Sequence, residues 1–323
     1  MKQKLLAVLA GVAVLALAAC GTTPAADSGS EDSGTKTLGI VAIVATDALN
    51  AAMINGASDA AEAAGWEVNV IDAQGSLDKA NAAMVTFSTT QKTDAILVSA
   101  FASSSIGAGL AAATGAGIPV VTWGGELVDG IVAASSALAV GEDSVNALLD
   151  DFGTDGEILA LTYHTGVLCL YRGVAFDDAI GKESGITVTA NEVAIPGQVE
   201  DGTSYTSAWL ASHPEGSGNY AIWGAWDEPA MGAVAALAQA GRTDVKVYSI
   251  NGAPNALQGV KDGTVTQIIW QDGYTEGQEL FAAAVDAIEA GDSWEPKTID
   301  VPGVLVDSST IDAFLADHPD ALG

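Results

Sequence analysis

A single arginine stands out in the middle of the chain. Arg172 lies in the apolar stretch YHTGVLCLYRGVAF, residues 163–176, although the 323-residue chain has only 11 basic residues against 41 acidic ones. A guanidinium is always charged and presents its N–H donors in a fixed fork, so it can bridge two adjacent oxygen atoms of a ligand. The alternative is a position on a helix surface, where Arg172 would pair with Asp177 or Asp178.

The composition is that of a folded globular protein. Hydrophobic residues make up 49% and charged residues 16% of the chain, and 323 residues are enough for two domains. Without residues 1–19, which carry Lys2 and Lys4, nine basic and 41 acidic residues remain, a formal net charge of −32. Such a surface repels phosphate backbones, so we expect no nucleic-acid partner.

The first residues have the pattern of an export signal. The basic segment MKQK is followed by the apolar segment LLAVLAGVAVLALAA, and Leu17-Ala18-Ala19-Cys20 closes the run. This end resembles the bacterial lipobox, whose cysteine receives a diacylglycerol group after cleavage. We therefore predict a lipoprotein signal peptide at 1–19, lipid attachment at Cys20, a flexible tether at 20–36 and an extracytoplasmic, membrane-anchored protein. A transmembrane helix and an ordinary cleaved signal are the alternatives.

From residue 37 short apolar strands alternate with alanine-rich helices. This alternation predicts right-handed crossovers and parallel sheets in two similar halves of about 100 residues each. The predicted strands are 38–44, 67–73, 95–100, 119–123, 157–163, 187–193, 220–225, 245–251 and 265–271. The predicted helices are 48–65, 76–91, 104–115, 167–181, 203–212, 228–241, 253–262 and 274–291.

Motifs for catalysis or for a cofactor are missing from this sequence. No G-x-G-x-x-G fingerprint, P-loop or G-x-S-x-G elbow stands at a strand–helix junction, and no two histidines have metal-ligand spacing. We therefore predict a protein that is not an enzyme and has no cofactor and no metal. In open parallel sheets ligands bind beyond the carboxyl ends of the strands, so two facing halves would form a binding cleft.

Four stretches carry a resemblance to a known family. They are Arg172-Gly-Val-Ala-Phe176, AWDEPAMGAVAALAQAG at 225–241, INGAPNALQGVKDG at 250–263, and IPVVTW at 118–123. In this order and at these intervals, residues 37–305 resemble the type I periplasmic sugar-binding proteins of ABC importers, and within them the ribose-binding group.

The resemblance implies an α/β fold of the periplasmic binding protein type I class, with two Rossmann-like lobes and parallel sheets joined by a three-stranded hinge. It places the N-terminal lobe at 37–135 plus 272–298 and the C-terminal lobe at 136–271 plus 299–323. It implies a monomer that closes on a sugar-like small molecule and delivers it to an ABC permease in the membrane. The alternative is a sensory lipoprotein that presents a sugar or another planar molecule, such as a nucleoside, to a membrane receptor.

The resemblance also implies the site. Arg172 matches the arginine that donates to sugar hydroxyls, while Asn251 stands where many members have an aspartate, and Gly124-Gly125 where they often place an acid and an arginine. These departures predict more indole surface, and Gly124-Gly125 would leave room for a ring or let the backbone approach the ligand closely. The predicted ligand-binding residues are Arg172, Gln271, Asn251, Trp226, Asp227, Trp123, Asp47, Asn50 and His164. The alternatives are packing for the tryptophans, helix capping for Asp47, Asn50 and Asp227, and a structural role for His164.

Overall fold

The computed structural model describes residues 34–136 and 138–322. The predicted signal peptide, Cys20 and most of the predicted tether lie outside the described residues. The described chain folds as alternating strands and helices. The strands are β1 (Thr37–Ala42), β2 (Glu67–Asp72), β3 (Ala95–Ser99), β4 (Val120–Trp123), β5 (Ile131–Ser135), β6 (Asp155–Thr162), β7 (Gly185–Glu192), β8 (Tyr220–Gly224), β9 (Val245–Asn251), β10 (Gln267–Trp270), β11 (Lys297–Ile299) and β12 (Val304–Asp307).

These strands form two six-stranded sheets. The first has the order β11-β5-β4-β3-β1-β2 and is parallel throughout; the second has the order β12-β10-β9-β8-β6-β7 and is parallel except where β12 pairs with β10. Central strands such as β3 are buried along their whole length because helices cover both faces, which explains their continuous apolar sequence. The predicted α/β class, with two lobes and mostly parallel sheets, is confirmed.

Helices pack on both faces of each sheet. They are α1 (Ala48–Ala63), α2 (Leu77–Thr86), α3 (Gly107–Ala116), α4 (Leu138–Phe152), α5 (Val167–Ile180), α6 (Gln198–Leu210), α7 (Asp227–Ala240), α8 (Pro254–Asp262), α9 (Gly273–Ala290) and α10 (Ile311–Asp317). Helices α1 and α9 of the first lobe approach backbone to backbone, since a Cβ at Gly56 would lie 2.0 Å from the carbonyl oxygen of Tyr274. Glycine is required at this crossing.

The chain passes between the two sheets three times. It leaves the first sheet after β5, returns after β10 to form α9 and β11, and ends with β12 and α10 in the second lobe. The third crossing follows Ile299, because this residue still pairs with Ser135 in the first sheet. The first lobe therefore extends one residue beyond the boundary expected at 298. Each lobe is therefore built from two separate segments of the chain.

Several elements differ from those expected from the sequence. Helix α6 begins at Gln198, five residues before its predicted start, and the predicted helix 76–91 ends as α2 at Thr86, followed by a π-helical turn over Phe87–Gln91. Helices α4 and α10, strand β5, and the edge strands β11 and β12 were not predicted. These edge strands are only three and four residues long and are partly exposed, so they are too short to show the periodicity of a strand.

Candidate ligand-binding site

A cavity lies between the two lobes, at the carboxyl ends of the strands. Its first-lobe wall follows β1, β3 and β4, and its second-lobe wall follows β6 to β9. The lining residues are Ile43, Val44, Asp47, Leu49, Asn50, Ala100, Trp123, Tyr163, Gly166, Leu168, Cys169, Arg172, Ile195, Trp226 and Asn251. Its volume is about 40 Å³, room for about three water molecules, so a sugar ring can enter only when the lobes move apart.

Arg172 reaches this cavity from α5 and is 1% exposed. Its Nη1 donates to the carbonyl oxygen of Ala225 at 2.7 Å, and its Nη2 donates to Oδ1 of Asn251 at 2.9 Å and to Oε1 of Gln271. Its buried Nε has no partner. The surface ion pair with Asp177 or Asp178 is therefore not formed, and the Nε–H has no acceptor among the described residues.

Burial lowers the pKa of Arg172 below its ordinary value, because desolvation disfavours the charged form. Nearby Asp227, Asp47 and Glu276 act in the opposite direction and favour the guanidinium charge. Within residues 34–136 and 138–322 no carboxylate lies close enough to Arg172 to form an ion pair. Neutral amide and carbonyl oxygens thus hold the arginine in place, with its charge balanced from a distance.

Asp227 holds the turn that presents Asn251 to the arginine. Its Oδ1 accepts from the Ser249 hydroxyl at 2.5 Å, and its Oδ2 accepts from the backbone N–H groups of Gly252 and Ala253 at 2.8 and 2.6 Å. Asn251 adopts a φ of 118°, a conformation that residues other than glycine rarely adopt, and these contacts stabilise it. Burial raises the pKa of Asp227 to about 7.

Asp47 and Asn50 form the polar part of the first-lobe wall. Oδ1 of Asp47 accepts from the backbone N–H of Asn50 at 2.9 Å and from its Nδ2 at 3.0 Å, so Asp47 caps α1. Oδ1 of Asn50 in turn accepts from the Ser99 hydroxyl at 2.6 Å. No described residue donates to Oδ2 of Asp47. Asp47 therefore caps α1 with one carboxylate oxygen and can accept from a ligand hydroxyl with the other.

Aromatic side chains form the apolar part of the cavity wall. Trp123 is fully buried, and its Nε1 donates to Oε2 of Glu276 on α9 at 2.7 Å. Trp226 and Tyr163 face each other on the second lobe, with ring centroids 6.0 Å apart and planes tilted by 58°. Burial raises the pKa of Glu276 to about 7, since the indole is the only group that donates to its carboxylate in the described chain.

The structure brings six of the nine predicted residues to the cavity wall. They are Arg172, Asn251, Trp226, Trp123, Asp47 and Asn50. Gln271 is buried behind the wall and contacts the cavity only through Arg172, and Asp227 is buried under the Asn251 turn. His164 is exposed, and its Nδ1 lies 2.7 Å from Oε2 of Glu192. Whether the six contact a ligand remains a prediction.

The room expected beside Gly124 is already filled. A Cβ at Gly124 would lie 2.3 Å from Cδ2 of Leu168, so the leucine of the second lobe packs into the space that the glycine leaves. One at Gly125 would lie 2.4 Å from Oγ1 of Thr122. Gly124 thus allows close contact between the lobes, and Gly125 allows close packing within the first lobe, so neither leaves space for a ring.

Sequence reasoning missed several residues of the wall. Ile195 follows β7, and Ala100 follows β3 at a φ of 60°. Their positions directly after strands were the sequence signal that could have placed them at the cavity. Cys169 lines the cavity three residues before Arg172, and burial raises the pKa of its thiol to about 12. The thiol is therefore protonated and offers a small, weakly polar surface. Glu276, which fixes Trp123, had no signal in the sequence, since it stands between Thr275 and Gly277 like any acidic residue of a helix surface.

The site can hold a small neutral molecule that carries hydroxyl groups. Nε of Arg172 can donate, Oδ2 of Asp47 can accept, and the indoles of Trp123 and Trp226 offer apolar contact surface. Among residues 34–136 and 138–322 no group of three or more histidine, cysteine or acidic side chains is arranged to hold a metal ion. The site is thus suited to reversible binding through hydrogen bonds and ring contacts.

Comparison with known proteins decides the family. The family model described as "Periplasmic binding protein domain" matches residues 38–292. The chain belongs to the type I periplasmic sugar-binding proteins of ABC transporters. It is 27% identical over 275 residues to the ribose import binding protein of Escherichia coli (strain K12), covering 84% of this chain and 88% of that protein. It is 26% identical over 327 residues to the fructose import binding protein of Bifidobacterium longum (strain NCC 2705), covering 98% of this chain and 95% of that protein.

A solved structure agrees with this family. The solute-binding protein of an ABC transporter from Agrobacterium vitis, crystallised with bound allitol, superposes with a TM-score of 0.79 and 27% identity over 88% of this chain and 99% of that one. The predicted recognition of the family is confirmed, and these relatives are transport binding proteins. Membership implies an extracytoplasmic location. None of the helices in residues 34–136 and 138–322 has the length and apolar character needed to cross a bilayer.

Proposed function

We propose that this protein captures a neutral carbohydrate or a similar polyhydroxylated molecule between its lobes and delivers it to an ABC permease. The observation that carries the proposal is the buried Arg172, which lines the inter-lobe cavity and whose Nε has no partner among the described residues. A buried N–H without a partner costs free energy, and a ligand oxygen would remove that cost. Relatives named for ribose and fructose, and one crystallised with allitol, agree with a hydroxyl-bearing ligand.

The protein acts in this proposal as a lipid-anchored monomer outside the cytoplasmic membrane. The lipobox-like Leu17-Ala18-Ala19-Cys20 supports the anchor, and the polar segment up to Lys36 supports a flexible connection to the lobes. One cavity that both lobes enclose supports a site completed within a single chain. The anchor would keep the carrier close to its permease.

A thermal-shift screen tests the ligand class. D-ribose, D-fructose, allitol and adenosine serve as probes, because a ligand that binds only the folded protein raises its melting temperature. We expect at least one sugar or polyol to do so and adenosine not to. No shift with the three polyhydroxylated probes, together with a shift with adenosine, contradicts the proposal. Uptake of the bound probe by cells with and without the protein then separates delivery to a permease from sensing.

Replacement of the arginine tests the site. Arg172→Ala should weaken binding of the sugar found in the screen roughly 10- to 100-fold in calorimetry, because hydrogen bonds to a charged group contribute about 1.5–3 kcal/mol. Arg242 is the matched control: it is the chain's other arginine and is bound to Asp244 and to the carbonyl oxygen of His213, away from the cavity. Arg242→Ala should leave the affinity unchanged. Equal affinities of both variants and the wild type would reject the assignment of Arg172.

A further inference from the structure

Helix α5 carries Arg172 and also makes direct contacts with the opposite lobe. The backbone N–H of Val167, its first residue, donates to the carbonyl oxygen of Ala100 at 2.9 Å, and Gly166 forms a β-bridge with Phe101. Leu168 packs against Gly124. The residues that begin α5 therefore form a contact line along the first-lobe loops after β3 and β4.

Tyr171, also on α5, contacts a carboxylate of the first lobe. Its hydroxyl donates to Oε1 of Glu126 at 2.5 Å. Glu126 is held in place by its own lobe, since its Oε2 accepts from the backbone N–H of Ser103 at 2.9 Å and its carbonyl oxygen accepts from the Ser103 hydroxyl at 2.7 Å. One carboxylate thus joins the two lobes, with one oxygen bound to each.

Neither residue lines the cavity. Tyr171 and Glu126 are only partly buried and lie beside a surface groove that Gly124, Leu138 and Thr298 also line. The hydrogen bond between them needs no ligand atom. Tyr171 directly precedes Arg172, so a movement of α5 that brings the guanidinium to the cavity also brings the hydroxyl to Glu126.

We infer that Tyr171 and Glu126 form a latch that stabilises the closed lobes and sets the affinity for the ligand from outside the cavity. The inference rests on the proposed function, in which closure and binding are coupled. When only the closed form binds tightly, the apparent affinity is the intrinsic affinity multiplied by the closed fraction. A contact that favours closure therefore strengthens the binding of every ligand by the same factor.

Removal of one hydroxyl tests the latch. Tyr171→Phe should weaken the binding of each probe that binds among D-ribose, D-fructose and allitol by about tenfold, mainly through faster dissociation. Tyr274→Phe is the matched control, because the Tyr274 hydroxyl also donates to a carboxylate, that of Asp59 at 2.8 Å, but within the first lobe. Glu126→Ala should weaken binding similarly, and the double variant should bind no more weakly than the weaker of the two single variants, because both changes remove the same contact.

Small-angle scattering tests the latch without any ligand. Tyr171→Phe should increase the radius of gyration of the protein, because a larger fraction opens, while Tyr274→Phe should not. If none of the three probes binds, scattering alone decides the latch. The latch is refuted if Tyr171→Phe has the radius of gyration of the wild type and, with any probe that binds, the same affinity. A different loss of affinity for each probe would also refute it, because a latch acts equally on all ligands.

Discussion

The burial of the Glu276 side chain makes the stability of the protein depend on pH, because desolvation disfavours the charged carboxylate. The carboxylate of Glu276 is buried, and its pKa rises from an ordinary 4.5 to about 7. Between these values the folded chain holds a proton that the unfolded chain has lost. The free energy of unfolding therefore falls as the pH rises through this window, and the loss is complete above pH 7.

The size of the effect follows from the pKa values. At 1.36 kcal/mol for each pH unit, raising the pKa from 4.5 to about 7 costs the folded, ionised protein about 3 kcal/mol relative to the unfolded chain. Part of this loss falls below pH 5, so Glu276 should lower the free energy of unfolding by about 2 kcal/mol between pH 5 and pH 8. Asp227, whose pKa is also raised to about 7, adds a loss in the same direction.

The variant Glu276→Gln isolates the contribution of this residue. Glutamine keeps an oxygen that can accept from the indole of Trp123 but cannot ionise. We expect the variant to match the wild type at pH 5 and to exceed it by about 2 kcal/mol at pH 8 in urea unfolding followed by circular dichroism. Glu279→Gln, an exposed position on the same helix, is the control for the change in net charge.

One result would refute this reasoning. If Glu276→Gln loses as much stability as the wild type between pH 5 and pH 8, the Glu276 carboxylate is not protonated in the folded protein. A variant that is less stable than the wild type at both pH values by the same amount would point instead to a loss of packing at Trp123.

Two further predictions concern the cavity and the lobe contact. Gly124→Ala should weaken sugar binding about fivefold in calorimetry, because the new methyl group would meet Leu168 only when the lobes close. The backbone strain of alanine at a φ of 82° is the same in the open and the closed form, so it does not change the affinity. Restored affinity of Gly124→Ala in the Leu168→Ala background is expected, and additive losses would contradict this account. Trp226→Ala should weaken binding about tenfold and reduce the ligand-dependent change in fluorescence, through loss of an aromatic wall; an unchanged affinity would assign Trp226 to packing alone.

Much of the fold could be predicted because its central strands carry the information locally. The run 38–44 is apolar throughout because helices cover both faces of β1, and the cap at Ser76 is present, with its hydroxyl accepting from the backbone N–H of Lys79 at 3.3 Å. Helix α6 was placed too late because its first turn is polar and reads as a loop. Edge strand β11, three residues long, has no periodicity from which it could be recognised.

The site was predictable where a residue has a fixed place relative to a strand. Asn251 and Asp47 follow from their places at the ends of strands, since parallel strands bring their carboxyl ends to one edge. Arg172 lies inside α5 and was assigned through the resemblance to the family. The pairs Tyr171–Glu126 and Trp123–Glu276 span 45 and 153 residues of sequence and depend on how lobes and helices are oriented. The type of each residue alone does not indicate which residue it will contact in the fold. Asp227 looked like a helix cap or a ligand, and only the turn at 249–253 reveals what its carboxylate binds.

The order in which the strands occur has a consequence for biogenesis. The first sheet is completed by β11 at Lys297–Ile299 and the second by β12 at Val304–Asp307, each at an edge formed by the last tenth of the polypeptide. Helix α9, which packs against α1, comes from a segment more than 200 residues later than its neighbour. A nascent chain released up to residue 270 therefore lacks part of both lobes. Neither lobe can therefore complete its sheet before translation is nearly finished.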